Sequence, residues 1–301
     1  MAEPLGFNQE LQEFVRGLVR YHERGRFPQE PDRRLFEDPI LAVAWASDPM
    51  FKSLKKIIGT FHQLPVQILR DAFPGRRIDE EEVYVVCYAL PITQATRLAN
   101  SSQYRYPHRD WMLTKIHGEA FNEWLRAELV RWIMGKGHMA AAPILQPSYI
   151  QFPHLNGDIT SNWSERHACF VAGLGTFGLS RGLITQAGMA VRLGTVVTDL
   201  PLKPTARDYD SPFAHCLFLA SGRCGICIRR CPAGAITPWG QDKQKCQAHQ
   251  IAALKRKGRD LGLGLQLSGL HLSCGLCQTG VPCEQGIPRP GSKDLQGASG
   301  P

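Results

Sequence analysis

Ten cysteines occur in the 301 residues, and eight of them fall in the last third: Cys216, Cys224, Cys227, Cys231, Cys246, Cys274, Cys277 and Cys283. The densest stretch, SGRCGICIRRCPAGAI (221–236), comes close to the run C-x2-C-x2-C-x3-C-P by which bacterial ferredoxins hold iron–sulfur clusters. Cys224, Cys227 and Cys231–Pro232 supply its last three cysteines, and Ser221 stands where the first is expected. In two-cluster ferredoxins the cysteine before proline ligates the other cluster. By that rule Cys224 and Cys227 belong to one cluster and Cys231 crosses to a second. Cys216, five residues before Ser221, fills the vacant place through a longer lead-in, and Cys283 crosses back from the far end. The first set is then Cys216, Cys224, Cys227 and Cys283. The second is Cys231, Cys246, Cys274 and Cys277. Eight cysteines make two sets of four with none left over in this region, and the spacing fits [4Fe–4S] clusters. The two C-x2-C pairs would also serve tetrahedral zinc; the C-x3-C-P order, the AGAI after it and the interleaved arithmetic favour iron and sulfide.

Composition narrows the setting. No run of eighteen apolar residues is present, so no membrane span is expected. The N-terminus MAEPLGFNQELQEF lacks a basic region followed by an apolar one, so no secretory signal is expected. The sequence therefore reads as cytoplasmic, where metal binding rather than a disulfide framework explains clustered cysteines. The formal charge of +8 fits either an anionic partner or a solvated basic surface. It counts cysteines as neutral, and thiolate-bound clusters lower it.

These residues must be positioned by a larger unit. Residues 8–25 predict an amphipathic helix, with Leu11, Phe14, Val15, Leu18 and Val19 on one stripe. The stretch 27–34 reads as a loop. Val83–Leu90 reads as a buried strand containing Cys87 as a core residue. Residues 112–136 predict a long helix with Phe121, Trp124, Leu125, Leu129 and Trp132 along one side and Gly137 as its cap. Short strands are expected in 138–145 and 194–200. Strands alternating with helices indicate an α/β layer architecture. The turn- and charge-rich 203–212 marks a boundary. It divides a domain over 1–205 from a cysteine-dense one over 206–290, with a small polar tail over 291–301 expected to be disordered.

Residues 163–201, WSERHACFVAGLGTFGLSRGLITQAGMAVRLGTVVTDLP, add a second signal. The segments 172–175 (AGLG), Gly178, 183–185 (LIT), 192–194 (RLG) and 198–201 (TDLP) occur in the order seen in the epoxyqueuosine reductase and reductive dehalogenase superfamily. With 86–91 (VCYALP) and the cysteine pattern, the chain resembles that superfamily over about residues 80–290. A dinucleotide loop is not read at 173–178, because SERHACFVA before it reads as helix rather than strand.

The resemblance implies a nitroreductase-like α/β domain that binds cobalamin, followed by a ferredoxin-like domain with two [4Fe–4S] clusters that feeds it electrons. It implies an oxidoreductase, with a flavodoxin- or ferredoxin-like donor. The substrate is then a small molecule; tRNA is possible but not favoured, because the chain lacks the C-terminal helical repeats of epoxyqueuosine reductases. An electron-transfer protein without catalysis of its own is the alternative. Gly173, Gly175 and Gly178 would let backbone approach a flat cofactor, and Arg192 would meet a carboxamide or phosphate of the corrinoid or else form a surface ion pair. For the proton donor, the resemblance points to Asp158, at nearly the spacing of the aspartate in the tRNA-modifying enzymes; the other reading is a turn residue after Asn156–Gly157. Tyr149 is the candidate by analogy with dehalogenases. His167 reads as a packed side chain rather than a cobalt ligand.

Overall fold

The computed structural model describes residues 4–155, 158–257 and 274–290; the 291–301 tail lies outside the described residues, as do the side chains of His154 and Asp158. In chain order the helices are α1 (Pro4–Tyr21), α2 (Pro49–Ile57), α3 (Pro65–Ala72), α4 (Gln94–Ser101), α5 (Arg109–Gly135), α6 (Glu165–Val171), α7 (Leu217–Ser221), α8 (Ile226–Arg229) and α9 (Lys243–Lys257). The strands are β1 (Arg26–Phe27), β2 (Glu30–Arg34), β3 (Ile40–Trp45), β4 (Tyr84–Pro91), β5 (Ala140–Ala141), β6 (Gln151–Leu155), β7 (Asp158–Ser161), β8 (Gly175–Phe177), β9 (Leu183–Thr185), β10 (Val191–Thr198), β11 (Ile236–Thr237) and β12 (Gly240–Gln241).

The central sheet has the order β3-β4-β10-β5 and is antiparallel throughout. Helices and strands do mix as the α/β class requires, but the continuous apolar run of β4 belongs to an antiparallel sheet covered on both faces. The covering follows from period-2 alternation. Tyr84, Val86, Tyr88 and Leu90 of β4 face one core with Val43 and Val196. Val83, Val85 and Cys87 face the other with Ala42, Ala44 and Val197. Leu11, Val15 and Val19 of α1 and Phe121, Leu125, Leu129 and Ile133 of α5 close the first face. Phe51 and Leu54 of α2, Val66, Ile68 and Leu69 of α3, and Ala168–Val171 of α6 close the second. Each fully buried side chain of this size contributes about 1.5–3 kcal/mol, more than the exposed ion pairs around it.

The long helix is longer at its start than the apolar stripe indicates. His108 accepts the Asp110 N–H at 3.2 Å and caps it. Its end lies where expected, with Gly137 at φ +88 and its N–H bonded to Met134 O. Residues 27–34 are not a plain loop. Phe27 and Glu30 pair across a tight ribbon, and Arg33 reaches Asp110 at 2.6 Å, tying the ribbon to the start of α5. Proline 31 is tolerated because this ribbon has only two strands and Pro31 does not have to donate to a neighbour.

A buried polar network joins α5, α6 and β10. Arg126, 1% exposed, binds Glu165 with two bonds of 2.9 and 2.7 Å and donates to Leu193 O at 3.0 Å. Glu165 also accepts the Thr195 N–H at 3.0 Å, and Glu119 lies 3.3 Å from Arg126. Burial raises the Glu165 pKa, and Arg126 opposes that by lowering it. Gly194 serves the same packing. A Cβ there would sit 2.1 Å from the Tyr88 ring, whose hydroxyl donates to Asn122 at 2.8 Å.

Removing one member of such a pair leaves the other charge buried alone, which costs about 3–5 kcal/mol. Glu165→Gln is expected to lower the unfolding free energy by that order in urea titrations, whereas Glu128→Gln, in an exposed pair with Arg131, changes it by less than about 1 kcal/mol.

Candidate metal centres

The first cysteine set lines one cavity. Cys216, Cys224, Cys227 and Cys283 surround about 390 Å³, including the part open to solvent, together with Gly178, Ile184, Met189 and Pro288. Local structure explains how. Helix α7 starts directly after Cys216 and stops at Gly222, whose φ of +70 reverses the chain toward Cys224. Ser221, in the position of the missing cysteine, donates its hydroxyl to Leu217 O at 2.8 Å, within α7. Gly225, at φ +98, then starts α8 and sets Cys227 in its first turn. Cys283 arrives from the far end of the chain. Its carbonyl accepts the Met189 N–H at 2.9 Å, and its Sγ lies 3.2 Å from Met189 Sδ.

The second set gathers beside it. Burial raises the Cys277 pKa, and nearby Cys274, Cys246 and Cys231, with Cys227 of the first set, add to it. Cys231 Sγ accepts the Ala235 N–H at 3.2 Å, and Cys246 Sγ accepts the Gln250 side-chain amide at 3.1 Å. Hydrogen bonds of this kind to ligating sulfur tune a cluster's potential. Burial first, then neighbouring thiols, push Cys227 up to about 12. Burial pushes Cys274 up to about 12 as well, with Cys246 and Cys231 adding to it. Thiols so placed do not ionise together without a compensating cation. Among the described residues no group of three or more His, Cys, Asp and Glu is arranged to hold a metal ion.

Both sets are fastened to the sheet domain. Gly275, at φ +66 between Cys274 and Cys277, lies so close to the Trp111 indole that a Cβ would be 2.0 Å from it. Asn100 of α4 donates to Thr279 Oγ1 at 3.0 Å. Arg230 donates to Leu276 O at 2.9 Å and to Gln103 O at 3.2 Å. Arg97, nearly fully buried, lies 3.5 Å from Glu284 and 3.3 Å from Glu37. Gly188, at φ +83, sits beneath the Glu284 backbone, where a Cβ would be 2.2 Å from its carbonyl. None of these fastening residues stands out in the sequence. Arg230 alone carries a signal, as the second arginine of the RRCP run.

The residues expected at a corrinoid are occupied by this chain's own atoms. A Cβ on Gly175 would meet Ile184 O at 2.2 Å, and one on Gly173 would lie 3.1 Å from Ala206 O. Gly178 lines the cysteine cavity. Arg192 pairs with Glu119 at 2.8 Å and donates to Lys115 O at 2.8 Å, so of its two readings the ion pair is the one observed, in a largely buried place. These four residues present no open cradle for cobalamin. Helix α6, not a strand, precedes the glycines, as 164–172 indicates.

Asp158 opens β7, its backbone paired with Leu155; the expected turn at 156–157 lies outside the described residues. The N-terminal part of α9, which carries Cys246, lies against β7. Tyr149 packs on the second core and its hydroxyl accepts Gln151 Nε2 at 3.1 Å. His167 is a packed side chain, 2.7 Å from Ser164 Oγ and with its ring 4.8 Å from that of Phe177. Arg166 beside it keeps an exposed surface, yet surrounding protein and then Arg181 lower its pKa. His62, fully buried, accepts the Ser164 N–H at Nε2, and its Nδ1 has no partner.

No protein-family description matches the sequence, and no curated protein matches it. Solved structures do. The chain shares the fold of the catabolic reductive dehalogenase NpRdhA, with a TM-score of 0.50 and 14% identity over 96% of this chain and 37% of that one. Epoxyqueuosine reductase from Bacillus subtilis aligns at a TM-score of 0.43 with 15% identity, over 95% of this chain and 68% of that one. Another epoxyqueuosine reductase structure aligns at 0.44 and 14%, over 97% and 69%. The chain thus spans little more than a third of the dehalogenase.

Burial and then Lys55 hold His62 down to about 4, and burial and then Arg166 hold His167 down to about 3. Both lie below the unfolded value of about 6.5, so the stability tied to their neutral forms is present above about pH 6.5 and is lost as the pH falls toward these values. Urea midpoints are expected to fall between about pH 6.5 and 4.5, and His62→Gln to flatten that slope.

Proposed function

We propose that the chain is an iron–sulfur oxidoreductase in which two [4Fe–4S] clusters deliver low-potential electrons to an acceptor at the sheet domain. The observation that carries this reading is the cavity ringed by Cys216, Cys224, Cys227 and Cys283, with Cys231, Cys246, Cys274 and Cys277 grouped beside it. The donor set is all sulfur, the two groups adjoin, and each draws one member from the other end of the region. A cluster spreads its ligands around a volume, whereas zinc draws four sulfurs to about 2.3 Å from one point. The clusters would supply one-electron chemistry at a potential within about −700 to +450 mV.

The chain's own residues set that chemistry. The Ala235 amide and Gln250 side chain donate to sulfur and favour the reduced, more negative state of the second group. Met189, Ile184 and Gly178 wall the first group with apolar atoms. Asp158, on the hairpin beside the cysteine-bearing α9, is the residue we assign as proton donor to the substrate. Cobalamin is the acceptor that the sequence resemblance implies; Gly173, Gly175 and Arg192 offer it no cradle, and corrinoid retention decides whether it is the acceptor. Donor, substrate and a cytoplasmic site of action belong to the same proposal. Among the described residues no helix is long and apolar enough to cross a membrane.

Oxygen-free protein is expected to hold about eight iron and eight inorganic sulfide per chain. Cys216→Ala is expected to reduce both to about four, and Ser221→Ala to leave them unchanged. Zinc in place of iron, or a full iron complement in Cys216→Ala, overturns the reading. Corrinoid retained in stoichiometric amount supports cobalamin as the acceptor; none retained leaves a relay without that chemistry. Asp158→Asn is expected to keep the iron and lose turnover.

A further inference from the structure

The chain's positive charge is concentrated. Residues 211–290 hold ten arginines and lysines against three acidic residues, all but one unit of the formal +8; six of the ten lie over 243–259, and Arg223 and Arg289 lie beside the first cysteine set. Two exposed arms of this stretch flank the cavity of the first cysteine set. One is α7 and the loop after it, between Cys216 and Cys224, where Leu219 is 38% exposed and Arg223 is exposed. The other follows Cys283, where Ile287 is 39% exposed and Arg289 is exposed on either side of Pro288, itself a cavity wall. Phe213, 43% exposed, leads into Cys216. On the second set, the Cys274–Cys277 loop is pressed on Trp111 and held by Asn100 and Arg230.

We infer that the rim formed by Leu219, Arg223, Ile287 and Arg289 docks an acidic one-electron carrier protein, and that electrons enter the chain at the first cysteine set. This rests on the reading of the cysteines as iron–sulfur ligands. Electron-transfer contacts are small and transient; a few like charges steer the partner, and a few apolar side chains seat it. The arginines supply the first and Leu219, Ile287 and Phe213 the second, and both lie within a few residues of ligand cysteines. One electron leaves the carrier and one enters the first cluster; no bond is made or broken. A nucleic acid is the poorer fit, since the exposed apolar residues here are mainly aliphatic, and single strands are held by stacking on aromatic rings.

The test uses cluster-loaded full chain and, as probe, an acidic flavodoxin in its fully reduced form, with cluster bleaching followed by stopped flow. The second-order rate is expected to fall steeply with ionic strength. The double variant Arg223→Glu/Arg289→Glu is expected to slow flavodoxin reduction about tenfold and to weaken binding of oxidised flavodoxin, read by flavin fluorescence, by a similar factor. Dithionite, a small reductant, is expected to bleach it at the rate of the unmodified chain. Lys56→Glu on α2 is expected to change neither rate, and the Arg→Lys double variant to retain most of the flavodoxin rate. A salt-independent rate, equal slowing with both reductants, or tighter binding of RNA than of flavodoxin overturns the docking face. If dithionite bleaches nothing in iron-loaded protein, the fault lies instead with the iron–sulfur reading beneath it.

Discussion

Trp111 lies against the backbone between Cys274 and Cys277, and only a residue without a side chain at 275 permits that contact. The second cysteine loop is thereby pressed onto the start of α5, a helix whose remaining length is locked to the sheet through Phe121, Leu125 and Leu129 on one side and Arg126 on another. Without this seat the loop has little of its own to hold it. It contains short turns, few apolar side chains and several thiols that burial keeps from ionising. The position of this cysteine loop is therefore decided by packing in a helix some 160 residues earlier in the chain, and Asn100, Arg97 and Arg230 repeat the same attachment by hydrogen bonds and charge.

The polar network beneath the sheet has a related role. Arg126 and Glu165 are nearly isolated from water, so their mutual attraction must offset the cost of removing both from it. Such a pair adds little net stability but makes misalignment expensive. It holds α6, with Arg166 and His167, against β10 at one position. Precise placement of α6 follows from a contact that contributes little to stability.

Much of the local structure was legible in the residues themselves. The stripe of α1, the apolar run of β4, the length of α5 and the spacing of the eight cysteines are all short-range patterns, and the backbone follows them. What escaped depends on partners distant in sequence. Gly173 and Gly175 look like residues cleared for a cofactor, yet their neighbours are Ala206 and Ile184, an identity no local pattern discloses. The strand run of β4 implied burial on both faces but not the antiparallel pairing with β3 and β10 that provides it. The proline-bearing ribbon of β1 and β2 was hidden because its two strands need so few bonds.

The seating of Gly188 and Met189 under the segment around Cys283 has a consequence for biogenesis. As the polypeptide leaves the ribosome, the floor of the first cavity is made almost a hundred residues before its fourth thiol. Until that last segment emerges and folds back, the cavity stands open on one side with three sulfurs in place. The segment that carries Cys283 closes the cavity only after it has been made and has folded back onto Met189.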